Sequence, residues 1–466
     1  MTTTNPSAPY FEKVADQWDT LRTGYFTEAV REAAIAKAYL HPSMTVADVG
    51  AGTGFMAAGL APLVSHVHVL DGSAPMLEVA RKNLAQFENV EFHAADGLSL
   101  PLPDASLDAA FTNMYLHHCP KPLAAIREIL RALRPGGRLV ITDMDTHTHE
   151  WLKTEMADVW MGFERDQIRK WFEQAGLVNV IVDCTGQTCQ AGCQSDEGVH
   201  ADISIFVATG TKRLEVRESV QASYAAKALG GDCGCGDSGC CSPGLISLDQ
   251  VISGSVNFDG GYTPDETAAI PAEAAQISLG CGNPTALANL REGEAVLDIG
   301  SGGGIDAFLA AKKVGPQGSV IGVDMTPAML QRARKAAKQG GYDNVKFRHG
   351  YAEKLPVEDG TVDVIISNCV INLTEDKGKV FRETFRVLKA GGRLEVSDMV
   401  FGGAVPVSAR YSASGWSECV SGALPEQEYV DLAAQAGFKD ISVRRSASAG
   451  QTLGVPVYSV QLSARK

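Results

Sequence analysis

Val296-Leu297-Asp298-Ile299-Gly300-Ser301-Gly302-Gly303-Gly304 is a short apolar run, interrupted by one acid, that ends in a glycine turn. Its brevity and its closing glycines read as a buried parallel strand that delivers a loop to the N-terminus of a helix. Val46-Ala47-Asp48-Val49-Gly50-Ala51-Gly52-Thr53-Gly54 has the same pattern in the first half of the chain. The likeness runs on in register. Val67-His68-Val69-Leu70, ending in Asp71, matches Val320-Ile321-Gly322-Val323, ending in Asp324. Leu102-Pro103-Asp104-Ala105-Ser106-Leu107-Asp108 resembles Leu355 to Asp363, and Leu133-Arg134-Pro135-Gly136-Gly137-Arg138-Leu139 pairs with Leu388 to Leu394. An internal repeat this long predicts two α/β domains of one architecture. The expected division is 1–211 for the first domain, 212–246 for a helix plus a Gly/Cys-rich linker, and 247–466 for the second.

Within each copy the glycine turn should be followed by a helix, Phe55 to Leu63 in the first, and the second strand by another, Pro75 to Leu84. Lys212 to Ala228 has a charged helical pattern. Gly230 to Gly244, with Cys233, Cys235, Cys240 and Cys241, is glycine-rich and reads as a mobile, cysteine-bearing linker.

The 466 residues carry 55 acids against 41 bases, a net charge of −14. With no clustered Lys/Arg stripe, this argues against a nucleic-acid or membrane partner and for a small-molecule substrate. The N-terminal residues lack a basic segment followed by an apolar core, and no run is long enough to span a bilayer, so the expected residence is cytoplasmic. Eleven cysteines in such a compartment should be reduced thiols, which points to metal or metalloid binding or to redox chemistry.

A dinucleotide loop wants Gly-x-Gly-x-x-Gly, whereas both copies read Asp-x-Gly-x-Gly-x-Gly. An acid two residues before the first glycine repels a pyrophosphate and suits a cationic ligand. The acids that close the second strands, Asp71 and Asp324, are placed to accept hydrogen bonds from a ribose diol. Together these features resemble the S-adenosylmethionine methyltransferases of the Rossmann-like class. The fold this implies is two class I domains in tandem, each a mostly parallel seven-stranded sheet with helices on both faces. The resemblance also implies that Asp298, Gly300 and Gly302 hold the amino-acid end of the cofactor, Asp324 and Met325 its ribose, Ala352 and Glu353 its adenine side, and Asn368 the edge of the fourth strand. In the first copy, Asp48, Gly50, Gly52, Asp71 and Asp96 are the matching positions.

The repeat is its own control. Asn113 aligns with Asn368, and the next residue is Met114 in the first copy but Cys369 in the second. Cys281 and Cys419 likewise have no counterpart in the first copy. By topology, one thiol precedes the cofactor strand, one ends the fourth strand and one follows the fifth, so all three could converge over the cofactor. Soft thiolates select soft centres such as Cu(I), Zn(II) or trivalent arsenic. The trio lacks the paired short-range cysteines or added histidines of a zinc site, and three thiolates with a lone pair suit pyramidal As(III).

Leu279-Gly280-Cys281-Gly282-Asn283-Pro284, the loop Asp298 to Asp306, Ser367-Asn368-Cys369-Val370-Ile371-Asn372-Leu373 and Glu418-Cys419 followed by Gly422-Ala423-Leu424 resemble the arsenite S-adenosylmethionine methyltransferases, over about 216–466. That resemblance implies that Cys369 and Cys419 bind As(III), that Cys281 and a linker cysteine, Cys240 or Cys241, complete the thiol set, that arsenite and methylarsenite are substrates, and that thioredoxin or glutathione is the reductant. Two other readings stand beside it: a carbon, oxygen or nitrogen methyltransferase whose cysteines are structural, and a thiol-rich protein that sequesters metalloid. Ser367-Asn368-Cys369 supplies no carboxylate or histidine base for the former, and two intact donor loops argue against the latter.

Cys184, Cys189 and Cys193 are spaced like a loop and read equally as a second metalloid site or as a loose hairpin. Cys233 and Cys235 read as a metalloid capture point or as decoration of a flexible linker, with capture favoured. His117-His118-Cys119 follows the first copy's fourth strand, where substrate would lie, but reads sooner as packing at a helix start. The acceptor of the first domain is not legible.

Overall fold

The computed structural model describes residues 6–192, 199–228, 262–263, 265–266, 270–271, 283–407, 420, 422–452 and 454–466. The chain divides into two units, Met1–Leu214 with Pro406–Ser408, and Glu215–Val405 with Ala409–Lys466. Each has the expected architecture.

In the first unit the strands are β1 (Thr45–Val49), β2 (His66–Asp71), β3 (Val90–Ala94), β4 (Leu107–Asn113), β5 (Leu133–Met144), β6 (Leu177–Gly192) and β7 (His200–Lys212). They form one sheet in the order β3-β2-β1-β4-β5-β7-β6. All neighbours are parallel except β7, which runs antiparallel between β5 and β6. The second unit repeats this with β8 (Ala295–Ile299), β9 (Ser319–Asp324), β10 (Val345–His349), β11 (Val362–Asn368), β12 (Leu388–Phe401), β14 (Lys439–Thr452) and β15 (Val455–Arg465), ordered β10-β9-β8-β11-β12-β15-β14. A two-residue β13, Leu424–Pro425, adds a short parallel pairing to the end of β12.

The central strands are buried on both faces because helices cover both sides. Val46 and Ala47 of β1 and Ala109 to Phe111 of β4 are at most 1% exposed, as a parallel sheet requires. The helix Pro122–Ala132 turns Ala125, Ile126 and Ile129 inward at helical spacing, with Ile126 and Ile129 each contributing about 1.5–3 kcal/mol. Its twin, Lys377–Val387, does the same with Val380, Phe381 and Val387.

Two local expectations were too long. The helix after the first glycine turn ends at Leu60. The charged pattern from Lys212 is helical only over Arg217–Ala228, because Thr209, Thr211 and their neighbours extend β7 against β5. Nor are Cys184 and Cys189 in a loop: β6 runs on to Gly192, paired along its length with β7. The glycine- and cysteine-rich stretch read as a linker lies outside the described residues.

Candidate functional site

The turn at Gly300 shows why the motif is written as it is. Gly300 and Ser301 donate their N–H groups to the carbonyl of Val323 at the end of β9, at 2.7 and 3.1 Å. That ties the loop to the next strand. A side chain on Gly300 would lie 2.2 Å from the Val370 methyl, so only glycine allows the backbone this close. The first unit makes the same turn, with Gly50 and Ala51 bonded to Leu70 O at 2.9 and 3.0 Å.

Asp324 spends both carboxylate oxygens on backbone donors, Gly302 N–H at 3.0 Å and Thr326 N–H at 2.7 Å. Asp71 does the same with Gly52 and Ser73, each at 2.8 Å. Burial raises the pKa of both acids, and these N–H groups oppose the rise. Each oxygen keeps a lone pair for a hydroxyl donor, as a ribose diol needs.

The second unit places three acids around its loop. Asp298, 2% exposed, accepts a backbone bond from Ala307 in the first turn of the helix Ile305–Val314. Asp306 on that helix accepts from Tyr262 Oη at 2.7 Å and from Asn368 Nδ2 at 3.3 Å. Burial holds Asp298 well above the usual carboxylate range, and the charges of Asp306 and Asp324 add to this. Burial likewise pushes Asp306 up to about 6 against the Tyr262 and Asn368 hydrogen bonds. Asp298 Oδ2 and Asp306 Oδ1 have no hydrogen-bond partner among the described residues.

Buried acceptors left unpaired are costly, and a crowd of carboxylates excludes an anionic ligand. The donor set therefore fits a ligand with a positive centre and N–H groups, as S-adenosylmethionine has. Asp306 and Tyr262 were not singled out in the sequence. The repeat carried the signal for the first: the first unit has Met56, buried, where Asp306 stands.

The cleft continues past Met325, Ala352 and Glu353, the positions expected at the ribose and adenine. Glu353 is ion-paired to Arg217 at 2.8 Å, Arg217 lies 5.1 Å from the centre of the Tyr351 ring, and Gln221 Nε2 donates to Met325 O at 2.8 Å. The helix Arg217–Ala228 thus packs along this part of the cleft, a placement that its charged pattern did not disclose.

Cys369 lines this same cleft at the end of β11. It is 2% exposed, and its N–H bonds to Ser397 O at 2.8 Å. Its φ is +57°, in the left-handed region. Met114 has φ +50° and the matching bond to Thr142 O at 2.9 Å, so the unusual backbone belongs to the fold and only the sulfur is new. Cys369 is disulfide-bonded, contrary to the expectation of free thiols throughout. Cys119, Cys184 and Cys189 are free, so its partner is none of these. Cys281, Cys419, Cys240, Cys241, Cys233, Cys235 and Cys193 lie outside the described residues. Cys184 is exposed and Cys189 buried.

In the first unit, Asp48 accepts from Ala57 N–H at 2.9 Å, and burial pushes it up to about 7. Asp96 is exposed and accepts from Leu98 N–H at 3.0 Å. Tyr115 replaces Val370: its ring lies against Gly50, and its hydroxyl accepts from Gly97 N–H at 3.1 Å. His117 and His118 are buried, with His117 Nδ1 2.7 Å from Asp143 Oδ1. The second unit keeps the acid as Asp398, which binds Asn372 N–H and Tyr429 Oη, each at 3.0 Å.

Comparison with known proteins agrees with this geometry. Two methyltransferase-domain family models match, at residues 47–141 and 290–437. An arsenite methyltransferase of Halobacterium salinarum is 42% identical over 237 residues, covering 49% of this chain and 59% of that protein. A human arsenite methyltransferase is 40% identical over 152 residues, covering 31% of this chain and 40% of its own length. The chain thus spans about half the length of these curated relatives. A crystal structure of an arsenic(III) S-adenosylmethionine methyltransferase from Chlamydomonas reinhardtii is 37% identical, with TM-score 0.40, covering 44% of this chain and 75% of that one. Each unit thus has the fold of a methyltransferase domain, and the second resembles arsenite methyltransferases, as its motifs led one to expect.

Proposed function

We propose that the second unit is an arsenite methyltransferase, transferring methyl groups from S-adenosylmethionine to trivalent arsenic held by cysteine thiolates. The observation that carries this reading is Cys369: a sulfur ligand lining the same cleft as Asp306 and Asp324. When bound, the cofactor supplies an electrophilic methyl on a sulfonium. The protein's task is then to hold a nucleophile in line and to exclude water, and little proton chemistry is needed.

Asp298 and Asp306 would hold the cationic end, Asp324 the ribose, and Ala352 and Glu353 the adenine side. Cys369, Cys419 and Cys281 would ligate arsenite or methylarsenite, leaving the lone pair of the pyramidal arsenic free to attack. Methylation leaves arsenic formally pentavalent. Two thiolates closing to a disulfide return the two electrons, and thioredoxin or glutathione then reduces that disulfide. A linker thiol, Cys240 or Cys241, would serve this step. The disulfide at Cys369 fits the oxidised half of such a cycle. A thiol-reducing compartment, the cytoplasm, suits it, and among the described residues no helix is long and apolar enough to cross a membrane.

The test is to incubate the chain with arsenite, S-adenosylmethionine and a thiol reductant and to speciate the arsenic. Methylated species support the reading. Bound but unchanged arsenite would make the protein a metalloid binder, and no interaction would leave a methyltransferase with structural cysteines.

A further inference from the structure

We propose that His66, His68, His93 and Glu91 form a binding site for one borderline divalent transition ion, zinc(II) foremost, that staples β3, the edge strand of the first unit, to β2. Residues two apart on a strand share a face, so His66 and His68 point the same way from β2, and Glu91 and His93 from β3. The parallel register sets His68 opposite Glu91 and Leu70 opposite His93, which brings the two pairs together.

Glu91 is the hub. Its Oε2 lies 3.4 Å from His66 Nε2 and 3.6 Å from His68 Nδ1, and its Oε1 lies 3.7 Å from His93 Nε2. His68 Nδ1 and His93 Nε2 are 3.0 Å apart. Donors about 2.0–2.1 Å from a tetrahedral zinc stand roughly 3.3–3.4 Å from one another, and the observed separations bracket that value. The side chains are 35%, 15%, 17% and 55% exposed for His66, His68, His93 and Glu91, so an ion can reach them without a path through the core. Three imidazoles and one carboxylate suit Zn(II), Co(II), Ni(II) or Cu(II) over Mg(II) or Ca(II).

The second unit is a control. At the same positions of β9 and β10 it has Ser319, Ile321, Lys346 and Arg348, which offer no chelate. The fold does not require these four donors; the first unit has them together. β3 is five residues long and, among the described residues, pairs only with β2, so an ion across the two strands would hold the edge in place.

The experiment uses the full chain with its cysteines alkylated, so that thiols do not compete, titrated with Co(II) and then with Zn(II). We expect one equivalent bound, a visible Co(II) spectrum of nitrogen and oxygen ligation, and a rise in the Tm of the first unit on adding Zn(II). The double variant His68→Ala/His93→Ala should bind at least 100-fold more weakly and show no rise; these two side chains are only 15% and 17% exposed, so His66→Gln, at a more exposed position, provides a milder second variant. Failure of the alkylated wild type to bind overturns the proposal, as does undiminished binding by the variants. So does loss of binding in Asp158→Asn, which would move the site to the buried group of His117, His118 and Asp158, where Asp158 Oδ1 lies 3.8 Å from His117 Nε2 and 3.9 Å from His118 Nδ1. Binding without a rise in Tm overturns the staple.

Discussion

The two units hold their glycine loops with the same bonds and differ in what faces those loops. Asp48 and Asp298, Asp71 and Asp324, and the turns at Gly50 and Gly300 are superposable in role. Opposite them, the first unit has Met56, Met114, Tyr115 and His117, and the second has Asp306, Cys369, Val370 and Asn372. One architecture thus keeps a donor cradle constant while the ends of β4 and β11 are rewritten. What differs between copies of one fold is where function is to be sought.

The largest effect should come from the sulfur. Cys369→Ser should reduce arsenite methylation to background in the arsenic speciation assay while leaving S-adenosylmethionine binding intact; Met114→Ala should leave arsenite methylation unchanged. Retained turnover in the first variant would sink the proposed function.

Next come the carboxylates. Asp298→Asn should weaken S-adenosylmethionine binding at the second unit by about 100-fold, the loss expected when one partner of a buried charge pair is removed. Calorimetry should show the first unit's affinity unmoved, and Asp48→Asn should give the reverse.

A smaller effect follows from pH. Burial keeps a proton on Asp306 up to about 6, and a cationic ligand needs that carboxylate charged. Binding to the second unit should therefore release a proton and tighten about tenfold from about pH 5 to about pH 7. Without the ligand the sign is opposite: a raised folded pKa makes stability fall as pH climbs from about 4 through about 6. Asp306 shares the limb near 6 with Asp398 of the same unit and Asp158 of the first, both pushed up to about 6 by burial; Asp48, pushed up to about 7, titrates later. A flat profile would show that the carboxylates do not meet the positive charge.

The smallest effect tests a steric exchange between the copies. Tyr115 reaches Gly97, where a side-chain carbon would lie 2.4 Å from its hydroxyl; the second unit pairs the smaller Val370 with Ala352. Val370→Tyr should overpack the cleft and cost about 1–3 kcal/mol by urea denaturation. Adding Ala352→Gly should restore part of it, and additive effects would deny that the two positions are coupled.

Most of the fold was legible because the repeat states it twice: strand, glycine turn and acid recur with matching registers. The acids of the cradle were legible for the same reason, being tied to motif glycines. Asp306 was hidden inside a helix, where a single acid reads as a solvated face, and only alignment with Met56 marks it as buried. Tyr262 and Arg217 come from segments with no counterpart in the first copy, and their use depends on where the chain folds back. The hairpin of β6 and β7 was misread because cysteines and glycines at Cys184 to Cys193 look like a loop, while its length is set by pairing with β7. The four donors on β2 and β3 passed unnoticed because alternation along two strands brings them together only through register.

The crowding of Asp298, Asp306 and Asp324 also bears on turnover. A sulfonium that gives up its methyl becomes a neutral thioether, so the ligand leaves this cradle with one positive charge fewer than it brought. The α-ammonium stays on the spent molecule, so acids that meet it would hold donor and product alike, and only the sulfonium's share of the attraction would be lost when the methyl is transferred.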